Sequence, residues 1–209
     1  MPRSQQALFK ATLTLLAGGA VAQVLPLLLG PWLTRLYAPA DFGQYTLFFA
    51  VATNLAVVAC ARYDQALPIA RDDAEARDLL ALALRVLVVV TGLCVPVAVA
   101  AAFLSGLSPA LWAWLPFAVA AAGGVQCFAM WASRAQRFGA LSASRVTQFG
   151  GAAVLQVAAG LVQAGPAGLV AGPVLANAAG TGWLLHPRPL GGWRALWRRP
   201  RAALVDTGR

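Results

Sequence analysis

The sequence predicts an all-α integral membrane protein: a six-transmembrane-helix bundle with both termini in the cytoplasm. Three observations carry this expectation. First, hydrophobic residues make up 60% of the 209-residue chain and charged residues only 11%, against about 45–50% and about 25% in soluble domains. So few charges cannot cover a soluble surface, and the solvent must be lipid. Second, six stretches approach the roughly 20 apolar residues that a spanning helix needs. Third, Lys and Arg fall almost entirely in alternate segments between those stretches, the pattern that the positive-inside rule produces.

The first span is expected at Ala11–Leu33, after the weakly basic Met1–Lys10. Ala20-Val21-Ala22 resembles a signal-peptidase site. Cleavage there would leave only Val24–Leu33, too short to span, so the run is expected to stay as an anchor. The second span is Phe42–Ala61. The third, Leu79–Phe103, follows a mixed-charge segment in which Asp72 or Asp73 is placed to cap a helix. The fourth is Leu111–Trp131. The fifth, Val146–Val162, is shorter and carries Gln148 and Gln156. The sixth, Ala167–Leu185, is rich in glycine and ends at His186-Pro187. Residues 1–187 thus form one helical lobe, and residues 188–209 a basic cytoplasmic tail. The Trp193 and Trp197 of that tail, set among arginines, suit an anionic inner leaflet. Strand-like alternation is absent, which argues against a β-barrel. Pro26, Pro96, Pro116 and Pro173 interrupt the spans and are expected to kink them. Small residues at Ala17–Ala20 and at Gly123-Gly124 allow close helix packing.

Orientation follows from the cations. Arg3 and Lys10, then Arg62, Arg71, Arg77 and Arg85, then Arg134, Arg137 and Arg145, then the six arginines beyond residue 187 share one side. Only Arg35 among the 16 Lys and Arg lies opposite. This asymmetry puts both termini in the cytoplasm and supports an even number of spans. The expected location is the bacterial cytoplasmic (inner) membrane.

A net charge of +9 and a pI of about 11.0 would point to nucleic acid in a soluble chain. Here the cations are confined to short segments between apolar runs, so nucleic acid is not expected as a partner. Cys60, Cys94 and Cys127 lie in three different spans without metal-ligand spacing, and read as small buried hydrophobes. His186 is the single histidine, and no His, Cys and carboxylate cluster exists. No enzyme activity, catalytic residue, metal or cofactor is expected. Asp72, Asp73 and Glu75, between Arg71 and Arg77, read as a solvated helix start. The residues that lipid cannot solvate matter more. Gln23, Asn54, Gln126, Gln148, Gln156 and Asn177 lie inside spans, and Arg85 sits six residues into the third. Such groups face a bundle interior or a wet cavity, or snorkel to the interface. No Asp or Glu lies deep in a span, so no proton-coupling acid is evident.

Thr34-Arg35-Leu36-Tyr37-Ala38-Pro39-Ala40-Asp41-Phe42-Gly43 resembles the first periplasmic loop of bacterial polysaccharide flippases, the O-antigen and exopolysaccharide exporters of the MOP superfamily. Arg62-Tyr63, Ala66, Asp72 to Ala76 and Leu79 resemble that family's next cytoplasmic loop. Trp131 through Phe138, with Arg145-Val146, resemble the loop between the fourth and fifth helices, and Gly168-Leu169 with Gly172 the entry to the sixth. The resemblance runs from about Lys10 to Leu185 and implies one lobe of a MOP/MATE-like transporter. It implies flipping of a polyprenyl-pyrophosphate-linked oligosaccharide across the cytoplasmic membrane by alternating access between two six-helix lobes. This chain matches the N-terminal lobe alone, so a truncated or split transporter is expected, with a second lobe or another copy of itself as partner. Arginine's planar fork suits pyrophosphate oxygens. Arg62, Arg85, Arg134 and Arg145 are therefore the candidate headgroup ligands, and Gln23, Asn54 and Gln126 the candidate partners of sugar hydroxyls. Two other readings stay open: a drug or ion antiporter lobe of the same fold, and a non-transporting membrane subunit or remnant.

Overall fold

A computed structural model describes residues 3–60, 63–106 and 109–185. Every regular element among them is helical. The order is α1 (Arg3–Leu36), α2 (Pro39–Ala59), a 3-10 segment (Tyr63–Ile69), α3 (Asp73–Leu104), the single turn α4 (Pro109–Trp112), α5 (Leu115–Arg134), α6 (Phe138–Val146), a π-helical turn (Thr147–Gly151), α7 (Ala152–Leu161) and α8 (Gly165–Leu185). Five helical runs are long and apolar enough to cross a membrane, within Thr12–Leu36, Pro39–Ala59, Asp73–Leu104, Pro109–Arg134 and Gly165–Leu185. The chain is a membrane protein. The tail expected at 188–209 lies outside the described residues.

Local chemistry sets the boundaries. Pro39 opens α2 at a position where its missing N–H costs nothing, and the Asp41 carboxylate accepts the Ala38 N–H at 3.1 Å. Asp72 caps α3 by accepting the Glu75 N–H at 2.7 Å, and the Glu75 carboxylate accepts from the Arg71 N–H at 2.8 Å. With this cap, α3 begins six residues before the expected Leu79. Those residues are polar, so hydropathy alone could not include them. Pro116 stands in the first turn of α5, where proline is favoured, just after the turn at Ala113-Trp114 that divides the apolar run Pro109–Arg134 into α4 and α5. Pro26 and Pro31 in α1, Pro96 in α3 and Pro173 in α8 do lie inside helices.

The fifth apolar stretch departs most from expectation. Helical structure starts at Phe138, eight residues before Val146, and runs through the π turn to Leu161. Its polar residues are met by neighbours. Ser144 donates to the Gly180 carbonyl at 2.9 Å, Gln148 to the Ser144 hydroxyl at 2.8 Å, and Gln156 to the Leu169 carbonyl at 2.8 Å. The indole of Trp183 donates to the Thr147 hydroxyl at 3.0 Å.

Packing places α8 at the centre, against α2, α5, α6 and α7, while α5 also packs on α2 and α3. Half of α8's most apolar window is buried but only 11% of α1's, so α1 is peripheral and lies along α6 and α7. Small residues make these contacts. A Cβ on Gly18 would collide with the Ser142 side chain, so α1 and α6 touch backbone to side chain. Phe48, Leu80, Leu111, Leu115 and Leu184 fill the core, while many other large apolar side chains point outward. Leu27, Leu28, Val88, Val89, Leu93 and Phe117 are exposed, whereas Ala76, Ala83, Cys94, Ala98 and Cys127 are buried. Small residues at helix contacts and a broad outer surface of large apolar side chains suit helices whose solvent is hydrocarbon. Exposed hydroxyls turn onto their own helices, as Thr46 does to the Phe42 carbonyl at 2.7 Å and Thr53 to that of Phe49 at 2.7 Å. In lipid a polar group must find such an internal partner.

Candidate functional site

Arg71, Arg77, Arg134 and Arg137 gather at one end of the bundle. That end is built from the 3-10 segment, the start of α3, the α5–α6 turn and the end of α8. The turn is tight: Gln136 adopts a left-handed φ of 53°, and the Arg137 N–H reaches back to the Ala132 carbonyl at 2.9 Å. Arg134, the last residue of α5, spreads its guanidinium over the linker. It donates to the carbonyls of Ala70 at 2.8 Å and Leu67 at 3.3 Å, and pairs with Asp73 at 3.1 Å. Arg137 donates to the Leu184 carbonyl at 3.0 Å, which satisfies an orphan acceptor at the end of α8.

A cavity of about 700 Å³ opens here, lined by Pro68, Asp73, Arg77, Trp131, Arg134 and Phe138 among others. Two guanidiniums face one carboxylate across it, so its balance favours an anion. The Trp131 indole N–H is buried beside it without a partner among the described residues. Arg77, whose Nε donates to the Asp73 carbonyl at 2.8 Å, was not among the sequence-predicted ligands. The four-residue spacing from Asp73 to Arg77 was the signal that could have found it.

The predicted headgroup ligands do not converge. Arg134 reaches the cavity but serves chiefly to clamp the linker. Arg62 lies outside the described residues. Arg145 is exposed in the last turn of α6. Arg85 is half-buried and already interacts within the chain. Because α3 starts at Asp73, Arg85 lies twelve residues beyond the helix start, or about 18 Å at 1.5 Å per residue. It is deeper than the expected boundary implied.

The predicted sugar partners are also apart. Gln23 is exposed on α1, which packs on α6 and α7 and not appreciably on α2 or α5. Asn54 is exposed on α2 and turns one amide N–H to the Ala50 carbonyl at 2.7 Å. Gln126 is half-buried in α5 and already engaged. Gln23 and Asn54 therefore present polar groups on outward faces of two different helices.

The Thr34–Gly43 motif forms the corner between α1 and α2 at the opposite end. Tyr37 is its anchor: it is buried and donates its hydroxyl to the Gln156 carbonyl at 2.7 Å. Phe42 meets it edge-on, with ring centroids 6.2 Å apart. A Cβ on Gly160 would stand 2.9 Å from Tyr37 Cε2, and one on Gly168 3.0 Å from its hydroxyl. Two glycines of α7 and α8 thus cut the notch that Tyr37 fills. Leu36 packs beside Gly160, and the Thr34 hydroxyl donates to the Pro31 carbonyl at 3.0 Å. Arg35 is exposed. Gly43 has open space around its missing Cβ, so nothing in this fold requires glycine there. The motif does structural work, joining the α1–α2 corner to α7. Burial, with a smaller push from the Asp41 carboxylate, raises the Tyr37 phenol above its usual 10.0. The hydroxyl therefore stays a donor at neutral pH.

Among the described residues no group of three or more His, Cys, Asp or Glu gathers to hold a metal. No family model, curated protein or solved structure matches this chain.

Proposed function

We propose that this chain is one lobe of a polysaccharide flippase, moving a lipid-linked oligosaccharide across the bacterial cytoplasmic membrane together with a second lobe. The observation that carries the reading is the outward display of Gln23 on α1 and Asn54 on α2 amid lipid-facing apolar side chains. Polar groups on an outer face are costly in hydrocarbon. They become useful where another bundle covers those faces and encloses water with them. Alternating access needs two such bundles about a shared site. The cation-rich end, with Arg77 and Arg134 at its cavity, supports entry of a pyrophosphate headgroup from that side.

The reading includes six spans with both termini cytoplasmic. The run from Phe138 to Leu161 would be about 36 Å long at 1.5 Å per residue, enough for a bilayer core of about 30 Å. Ser144, Thr147 and Gln156 of this run are partnered by α8, which supports its place as a span.

Complementation tests the function. In cells lacking their own lipid-linked-glycan exporter, this chain with a second lobe should restore surface polysaccharide. Arg145→Ala should lower that recovery and the tail variant Arg209→Ala should not. Equal effects of the two variants, or no recovery with any second lobe, would reject the proposal.

A further inference from the structure

We propose that Cys60 and Cys127 are an oxidisable thiol pair that closes a reversible disulfide between α2 and α5. The two sulfurs lie 2.6 Å apart, although the residues are 67 positions apart in sequence. Cys60 is the C-cap of α2 and Cys127 lies within α5. Both are at most 1% exposed, so the contact is made inside the helix interface and not by loose surface side chains.

Small residues bring the backbones close enough. One turn before Cys127, a Cβ on Gly123 would come within 3.5 Å of the Ala59 Cβ, and the Cys60 thiol lies 3.5 Å from the Gly123 carbonyl oxygen. A disulfide needs an S–S distance of about 2.03–2.05 Å, so closure asks for a shift of roughly half an ångström. Cys94 is buried on α3 and remains a thiol.

The oxidant is a small uncharged peroxide, which can enter a packed bundle. One thiolate attacks the peroxide O–O bond and expels hydroxide, leaving a sulfenic acid. The second thiolate attacks that sulfur and expels the second hydroxide. The two thiol protons convert both hydroxides to water. Two sulfurs lose two electrons and the peroxide gains them. Disulfides are rare in reducing compartments, so the pair would record oxidative exposure and be reset by a dithiol.

Thiol counting on the full chain in lipid nanodiscs tests this. Untreated protein, denatured and labelled with maleimide, should take three labels. After hydrogen peroxide it should take one, with an intact mass lower by two hydrogens and a peptide map joining Cys60 to Cys127. Dithiothreitol should restore all three. Cys94→Ala should take none after oxidation, and Cys127→Ala should keep its two. Three labels after peroxide, a gain of oxygen mass in place of the loss of hydrogen, or thiol loss in Cys127→Ala would each overturn the proposal and leave the pair as packing alone.

Discussion

Replacing Arg134 with alanine separates two ways in which this side chain could hold the cation-rich end together. One is its ion pair with Asp73; the other is its grip on main-chain carbonyls. The Asp73 side chain is 81% exposed, and a pair of that kind is worth about 0–1 kcal/mol after solvent screening. The carbonyls are different. The bond to Ala70 at 2.8 Å is charge-assisted and partly buried, worth about 1.5–3 kcal/mol. The bond to Leu67 at 3.3 Å is long and adds less. Arg134→Ala should therefore destabilise the protein by about 2–4 kcal/mol, while Asp73→Asn should cost no more than about 1 kcal/mol. Arg134→Lys should fall between them, since a point charge cannot fork between two carbonyls and a carboxylate. The assay is unfolding by sodium dodecyl sulfate in mixed micelles, followed by tryptophan fluorescence, with proteolysis of the linker near Arg71 as a second readout. Exposed Arg145→Ala is the baseline, expected within about 0.5 kcal/mol of the parent. If Asp73→Asn costs as much as Arg134→Ala, the ion pair is the fastening. If Arg134→Ala matches Arg145→Ala, neither contact matters and the clamp argument is wrong.

Three further outcomes use the same unfolding assay or topology reporters. Gly172→Ala should destabilise by about 1–3 kcal/mol through overpacking. Its Cβ would lie 2.7 Å from Gln156 Cγ and 3.0 Å from the Ala152 carbonyl oxygen, which outweighs a helix-propensity gain of about 1 kcal/mol. Gly92→Ala, with nothing within 4 Å, should be neutral or slightly stabilising, and equal shifts at the two sites would refute the packing argument. Tyr37→Phe should cost about 1 kcal/mol for the lost hydrogen bond, and Tyr37→Ala about 3–5 kcal/mol for the emptied notch. Because the folded phenol is raised above 10.0, its contribution is complete below pH 10 and declines as pH climbs through the folded value; a stability curve unchanged by Tyr37→Phe at alkaline pH would contradict this. Reporter fusions near Ala40 and at Arg209 should read periplasmic and cytoplasmic respectively, and a periplasmic signal at Arg209 would exclude an even number of spans.

Hydropathy made the helical class and most of the spans legible, because lipid demands long apolar runs and this chain supplies them. It failed where helices continue into polar sequence. Asp73–Asp78 is helical because Asp72 caps it, and Phe138–Arg145 because α1 and α8 meet its polar residues. A hydropathy window sees neither. The site was legible only in part. The cations were legible as basic segments between apolar runs, and Arg77, Arg134 and Arg137 lie at one end of the bundle. Arg134's role was hidden because its partners are main-chain carbonyls more than sixty residues away. The Cys60–Cys127 contact was hidden for the same reason, since spacing says nothing about which spans pack together. Tyr37 stood inside a recognised motif, but its task as a corner anchor depends on glycines at 160 and 168 that only packing brings near.

The central position of α8 has a consequence for biogenesis. Membrane helices leave the ribosome in chain order, and α8 is the last described one, yet it supplies the carbonyls of Leu169 and Gly180 to Gln156 and Ser144. Until it inserts, those two side chains lack their native acceptors, and α2, α5, α6 and α7 have no common partner between them. The earlier helices must therefore wait as a loosely associated set while translation continues. During that interval the polar groups of α6 and α7 are the natural marks by which membrane chaperones and proteases would tell an unfinished chain from a finished one. A nascent chain stalled before Gly165 should accordingly be short-lived, even though most of its apolar helices have already been made.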